Sequence, residues 1–141
     1  VTVMLLTGSL RETHHALDIS PAASYLIIVD RSATIQYRYA SLVHNLGRIF
    51  CGHLGIDSRA WWSDRREFST TSENIEAESI TRLVCGRKGL NTVVDTEIAG
   101  CGDLGRELPR FSLNTILQVV GYIEEMGKSL WKGPKKKSRY K

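Results

Sequence analysis

The fold this sequence predicts is an α+β domain, with a small N-terminal sheet against two central helices and a third helix behind them. Three observations carry that expectation. Two short apolar, β-branched runs lie near the start of the chain. Three longer stretches repeat their apolar residues at three- and four-residue steps. No internal repeat or second composition divides residues 1–127, and 141 residues, 42% of them hydrophobic and 24% charged, suffice for one buried core without staples.

Taken in order, Val1 to Thr7 and Tyr25 to Val29 read as strands, bounded by Gly8-Ser9 and by Asp30-Arg31-Ser32. Leu10 to Ile19 is ambiguous between them, and Pro21 closes it. Ser32 is placed to cap a helix running to about Gly52, with Ala40, Val43, Phe50 and Leu54 inward and Gly47 among them. Ile56 to Phe68 has no period and reads as an irregular excursion holding Trp61-Trp62 and Asp64-Arg65-Arg66. One of its two indoles is expected to cover the core; the other reading is a surface for a partner.

Thr70-Thr71-Ser72 offers caps for the next helix, and Glu73 suits the positive end of its dipole. Glu76, Ile80, Leu83 and Val84 share one side of that helix. Glu78 precedes Arg82 by four residues and is expected to pair with it in solvent. Asn91 to Gly105 reads as a short helix with loops. Ser112 caps a last helix with Leu113, Ile116, Leu117, Val120 and Ile123 inward and Gly127 as its stop.

Charge is unevenly placed. Residues 127–141 carry seven Lys/Arg and no acid, so residues 1–126 hold 12 basic against 15 acidic side chains and the net +4 belongs to the end of the chain. Residues 128–141 are expected to be a disordered basic tail. With Trp131 and Tyr140 between its lysines, the tail has what weak, salt-sensitive nucleic-acid binding needs, and Lys135, Lys136, Lys137 and Arg139 would make the phosphate contacts. The longest apolar runs are far short of a membrane span, Val1 to Leu6 lacks the marks of a signal peptide, and the expected location is cytoplasmic. Cys51, Cys85 and Cys101 are odd in number and irregularly spaced, which argues for buried free thiols over disulfides. Cys51 and His53, two residues apart on a helix, would point to nearly opposite sides and so make a poor zinc pair.

The chemistry-bearing segment is His44-Asn45-Leu46-Gly47-Arg48. In an H-E-x-x-H helix, two histidines four residues apart grip one zinc ion and the glutamate deprotonates the metal-bound water. A lone histidine followed by asparagine would ordinarily be a satisfied core residue. The stretch from Tyr37 to Gly55, however, resembles the active-site helix of the ImmA/IrrE family of zinc-dependent peptidases. The likeness continues through Trp61-Trp62-Ser63-Asp64-Arg65-Arg66, Asn74 to Ile80, and Leu83-Val84-Cys85-Gly86-Arg87 to the helix at Ser112, or residues 25–127, and leaves residues 1–24 unplaced.

The resemblance implies a zincin-like fold, an active-site helix with His44, and a second helix whose Glu76 supplies the third zinc ligand. It also locates the departures. Asn45 stands at the general-base position, and Arg48, a permanent cation, stands where the second histidine is expected. Periodicity supports Glu76 as the inward carboxylate, and Arg48 is expected to pair with it in the metal's place. His44 and Glu76 are then two remnant ligands where catalytic zinc has three. His53 can join them only if the chain folds back at Gly52.

The leading expectation is a catalytically silent peptidase-like domain without a resident cofactor, zinc being the only metal suggested. It would act by binding a protein or peptide in regulation, a mobile element or a stress response, and would touch no membrane. Two other classes stay open: an active zinc peptidase with an altered site, and a nucleic-acid-binding protein using the tail.

Overall fold

The computed structural model describes residues 2–6, 25–56, 60–91 and 109–129. Among them are two strands, β1 (Thr2–Leu6) and β2 (Leu26–Asp30), and three helices, α1 (Ile35–Phe50), α2 (Thr70–Arg87) and α3 (Leu113–Ser129). The α+β expectation is met at this level.

The strands pair in parallel, with Thr2 opposite Leu26 and Leu6 opposite Asp30. Along β2, Ile27 and Val29 are buried while Leu26 and Ile28 are half-buried, the two-residue alternation of a strand with one face on a core. That face meets α1.

Helix α1 starts two residues later than the sequence suggests. Asp30 accepts from Ser32, leaving Thr34 as the cap, its hydroxyl accepting from the Tyr37 backbone N–H at 3.2 Å. Ala40, Val43, Leu46, Gly47, Ile49 and Phe50 form its buried stripe. In α2 the cap is Ser69, just before the three candidates in the sequence, with Glu73 in the first turn as expected. Ser112 caps α3 by accepting from the Thr115 N–H at 3.2 Å, and Ile116, Val119, Val120 and Ile123 face inward.

These stripes meet in one cluster: Ile27 and Val29 from β2, Val43, Leu46, Ile49 and Phe50 from α1, Ile80 and Val84 from α2, and the four inward residues of α3. Helix α2 packs against both α1 and α3, so it is enclosed on two sides. Four residues expected to face inward are exposed: Leu54 and Leu117 near half their area, Leu113 more and Leu83 somewhat less. Leu54 lies beyond the end of α1, and the other three sit at the margins of stripes already filled by neighbours.

Two glycines set how closely the pieces approach. A methyl at Gly47 would lie 3.4 Å from the Ile80 side chain and 3.6 Å from the Ala77 Cα, so the α1–α2 seam is tight there. Gly52 has φ +78°, and a methyl there would stand 1.9 Å from the Ser63 carbonyl oxygen. The segments expected between residues 7 and 24 and between 92 and 108 lie outside the described residues, as does the basic tail from residue 130; α3 runs past Gly127, the expected stop, and takes in Lys128 and Ser129.

Gly52→Ala is therefore expected to lose at least about 2 kcal/mol, from left-handed strain and a backbone clash. Gly121→Ala, on an exposed face of α3 with open space around it, should gain about 0.5–1 kcal/mol by helix propensity. Urea unfolding of both variants tests the contrast, and similar effects at the two positions would contradict the turn geometry.

Candidate functional site

The left-handed turn at Gly52 brings together what the sequence separates. As α1 ends, the His53 backbone N–H donates to the Arg48 carbonyl at 3.1 Å. The Arg65 N–H donates to the Gly52 carbonyl at 3.0 Å and so holds the irregular 60–68 segment against the turn. His53 and Arg65 then converge on Glu76 in α2, whose side chain has no exposed surface.

Every acceptor direction of that carboxylate is used. Oε1 accepts from Arg65 Nη2 at 2.7 Å and from the Ser112 backbone N–H at 2.7 Å. Oε2 accepts from Arg65 Nη1 at 2.8 Å and from His53 Nε2 at 2.9 Å. An ionised carboxylate can only accept, so Nε2 carries the proton in this contact. The other ring nitrogen of His53, Nδ1, is buried without a hydrogen-bond partner. Arg65 also lies 4.1 Å over the Phe68 ring, which steadies its guanidinium from outside.

Burial alone would raise the Glu76 carboxyl. The hydrogen bonds from His53, Arg65 and the Ser112 N–H, with the charge of Arg65, outweigh it and bring the carboxyl from 4.5 to about 2. Next to it, burial and then the Glu76 charge, partly opposed by Arg65, push the Cys51 thiol up to about 12. Cys51 Sγ, a ring nitrogen of His53 and a Glu76 oxygen lie within 4.8 Å of one another, a buried group that could hold a metal ion. The expectation that Cys51 and His53 diverge is corrected. The helix stops at Phe50, and the turn at Gly52 sets their directions in place of helical phase. Both described cysteines, Cys51 and Cys85, are buried and free.

Arg48 does not pair with Glu76. Its Nη2 lies 3.2 Å from Glu73 Oε2, one turn earlier on α2. The carboxylate of Glu76 is already filled by Arg65, whose planar fork engages both oxygens, so Arg48 joins the adjacent acid. Asn45 folds back on its own helix, Nδ2 donating to the Ser41 carbonyl at 2.8 Å. His44 is half-buried, and burial followed by the charge of Arg48 lowers its pKa. Among the described contacts, no hydrogen bond or ion pair joins His44 to Glu76, whose oxygens are taken by Arg65, His53 and Ser112. Glu78 is corrected as well: it is 5% exposed, with Oε2 buried and unpartnered, while Arg82 stands in solvent. Enclosure of α2 by two helices widens its buried arc beyond a single stripe.

Zinc at the positions implied by the resemblance does not fit these residues. A fixed guanidinium beside Glu73 stands where a ligand is needed, and the amide at the base position is turned away. The sequence signal that would have found Arg65 and His53 is the need of an inward carboxylate for partners, with a glycine to turn the chain toward it. Lys135, Lys136, Lys137 and Arg139 lie outside the described residues. No described helix is long and apolar enough to cross a membrane. No protein-family model matches the chain, and neither the curated proteins nor the solved structures yield a match.

Since its carboxyl is depressed on folding, Glu76 contributes stability that is fully present above 4.5 and lost as pH falls through about 2. Glu76→Gln should cost about 3–5 kcal/mol at pH 7, because it leaves Arg65 facing a neutral amide in a buried site. The difference between wild type and variant should shrink between pH 4.5 and 2. Urea titrations across that window measure it, and a pH-independent difference would count against the ion pair.

Proposed function

We propose that this chain is an ImmA/IrrE-like peptidase domain on a zincin-like scaffold that has lost hydrolysis and acts by binding a protein or peptide partner. The observation carrying this reading is the Arg48–Glu73 ion pair across the α1–α2 seam. A cation built into the chain bridges two helices where the resemblance calls for a metal ion held between them. The surroundings support it. Asn45 cannot act as a base and is bound to Ser41, and Arg48 stands where a second histidine ligand is expected.

The binding role is supported by an aromatic surface next to this seam. Trp61 and Tyr122 are 45% and 40% exposed, their rings 4.9 Å apart, and both rest on Phe50. Large exposed aromatic groups held in fixed geometry suit partner contacts. The resemblance suggests a regulatory protein, a mobile-element component or a stress-response factor as the partner. The Trp61-Trp62 pair divides its roles: Trp62 packs on the core, and Trp61 faces outward.

Metal content and peptide hydrolysis of the purified protein test the reading. Wild type is expected to cleave nothing, and its metal content should not change in His44→Ala. Placing Asn45→Glu and Arg48→His in one chain should add about one zinc per protein, removable by His44→Ala. Zinc in the wild type that disappears with His44→Ala, accompanied by hydrolysis, would sink it.

A further inference from the structure

The buried group at the end of α1 shares Glu76 with the positions that match the peptidase motif, but its other two donors, Cys51 and His53, lie outside them, and its chemistry is different. We infer that Cys51, His53 and Glu76 form a site for a thiophilic divalent ion of the zinc class, with Arg65 as the displaceable cation that fills it in the metal-free protein.

Ligand type comes first. A thiolate, an imidazole and one carboxylate suit borderline-soft ions, whereas calcium and magnesium prefer oxygen alone. Position comes second. The three residues are 4% exposed or less, and their donor atoms already lie within 4.8 Å. Metal–ligand bonds of about 2.0–2.3 Å in a tetrahedron ask for donors roughly 3.3–3.8 Å apart, so the site closes with small shifts. Third, His53 Nδ1 is a buried nitrogen with no partner, whereas buried polar atoms are ordinarily satisfied. A ring that repositions onto a metal loses little, because half of its hydrogen-bonding capacity is unused.

Charge and access complete the argument. As the sulfur–metal bond forms, the Cys51 proton leaves to solvent. The dication with thiolate and carboxylate is then neutral overall, as is the Arg65–Glu76 pair it replaces. A cavity of about 110 Å³ borders both Cys51 and Arg65, beneath Trp61 and beside Ser63 and Thr115. Arg65 keeps 12% of its side chain exposed, so its guanidinium has a path outward when the ion takes its place. The ion would cross-link the post-α1 turn to α2, as Arg65 does now, but by bonds that a chelator can remove.

Cobalt(II) titration of the EDTA-treated full chain tests this, since thiolate ligation gives a near-ultraviolet charge-transfer band and tetrahedral geometry gives intense visible bands. Wild type should saturate at about one ion per chain. Cys51→Ser should abolish the charge-transfer band and His53→Gln should weaken binding by about 10-fold or more, the loss typical of a missing ligand or its support. Arg65→Gln should tighten binding about tenfold by removing the competing cation. His44→Ala should change nothing, which separates this site from the peptidase positions. Circular dichroism verifies that each variant is folded, and the conservative Cys51→Ser serves if Arg65→Gln is not. No charge-transfer band in wild type, a band that survives Cys51→Ser, or one that His44→Ala removes would each overturn the site.

Discussion

Glu76 is a carboxylate with no contact with water, and the surrounding architecture is arranged to supply it with donors. An unpaired charge in such a place would be untenable, so the chain delivers a guanidinium fork, an imidazole and a backbone N–H to its two oxygens. Each donor comes from a different part of the chain. Arg65 fixes the otherwise irregular 60–68 segment, His53 fixes the turn after α1, and Ser112 fixes the start of α3. One residue thus sets the relative placement of three segments with little regular structure of their own to hold them.

The two arginine–carboxylate contacts made to α2, one from α1 and one from the 60–68 segment, differ in kind. Arg48 keeps 34% of its side chain exposed, and its single contact with Glu73 belongs to the class of surface pairs worth about 0–1 kcal/mol. Arg65 and Glu76 share two hydrogen bonds at 12% and 0% exposure, where separation would strand a charge. The seam itself is held by packing, with Gly47 letting Ile80 and Ala77 come close. A frame stabilised in this way does not depend on a metal between its helices.

Helix α2 has an unusual composition for a central element. Its buried residues include Ser72, Glu76, Glu78 and Thr81 alongside Ala77, Ile80, Val84 and Cys85. Thr81 returns its hydroxyl to the Ala77 carbonyl at 2.8 Å, and Glu76 is saturated by its neighbours. A helix enclosed by two others buries an arc too wide to be apolar throughout, so its polar residues are satisfied locally or by loops. Glu78 is the exception, with one oxygen buried and unpartnered.

The sequence by itself determined the order and type of the described elements, though not their exact caps and ends, and the inward direction of Glu76. Alternating β-branched residues, three- and four-residue apolar steps and Ser/Thr caps are local signals, set by short-range sterics and hydrogen bonding. It also displayed Asn45 and Arg48 beside His44, which are matters of residue identity alone. Tertiary structure decided which cation meets which carboxylate. Arg65 lies only 11 residues from Glu76 in sequence, but inside an aperiodic segment whose path depends on the turn at Gly52. The same turn sends Cys51 and His53 to one place, against the divergence that continued helical phase predicts. Ion pairing of long side chains is settled by competition among all donors within reach, and that reach exists only after the backbone has folded. Glu76 was legible as a residue in need of a partner, while the identity of the partner was a property of the fold.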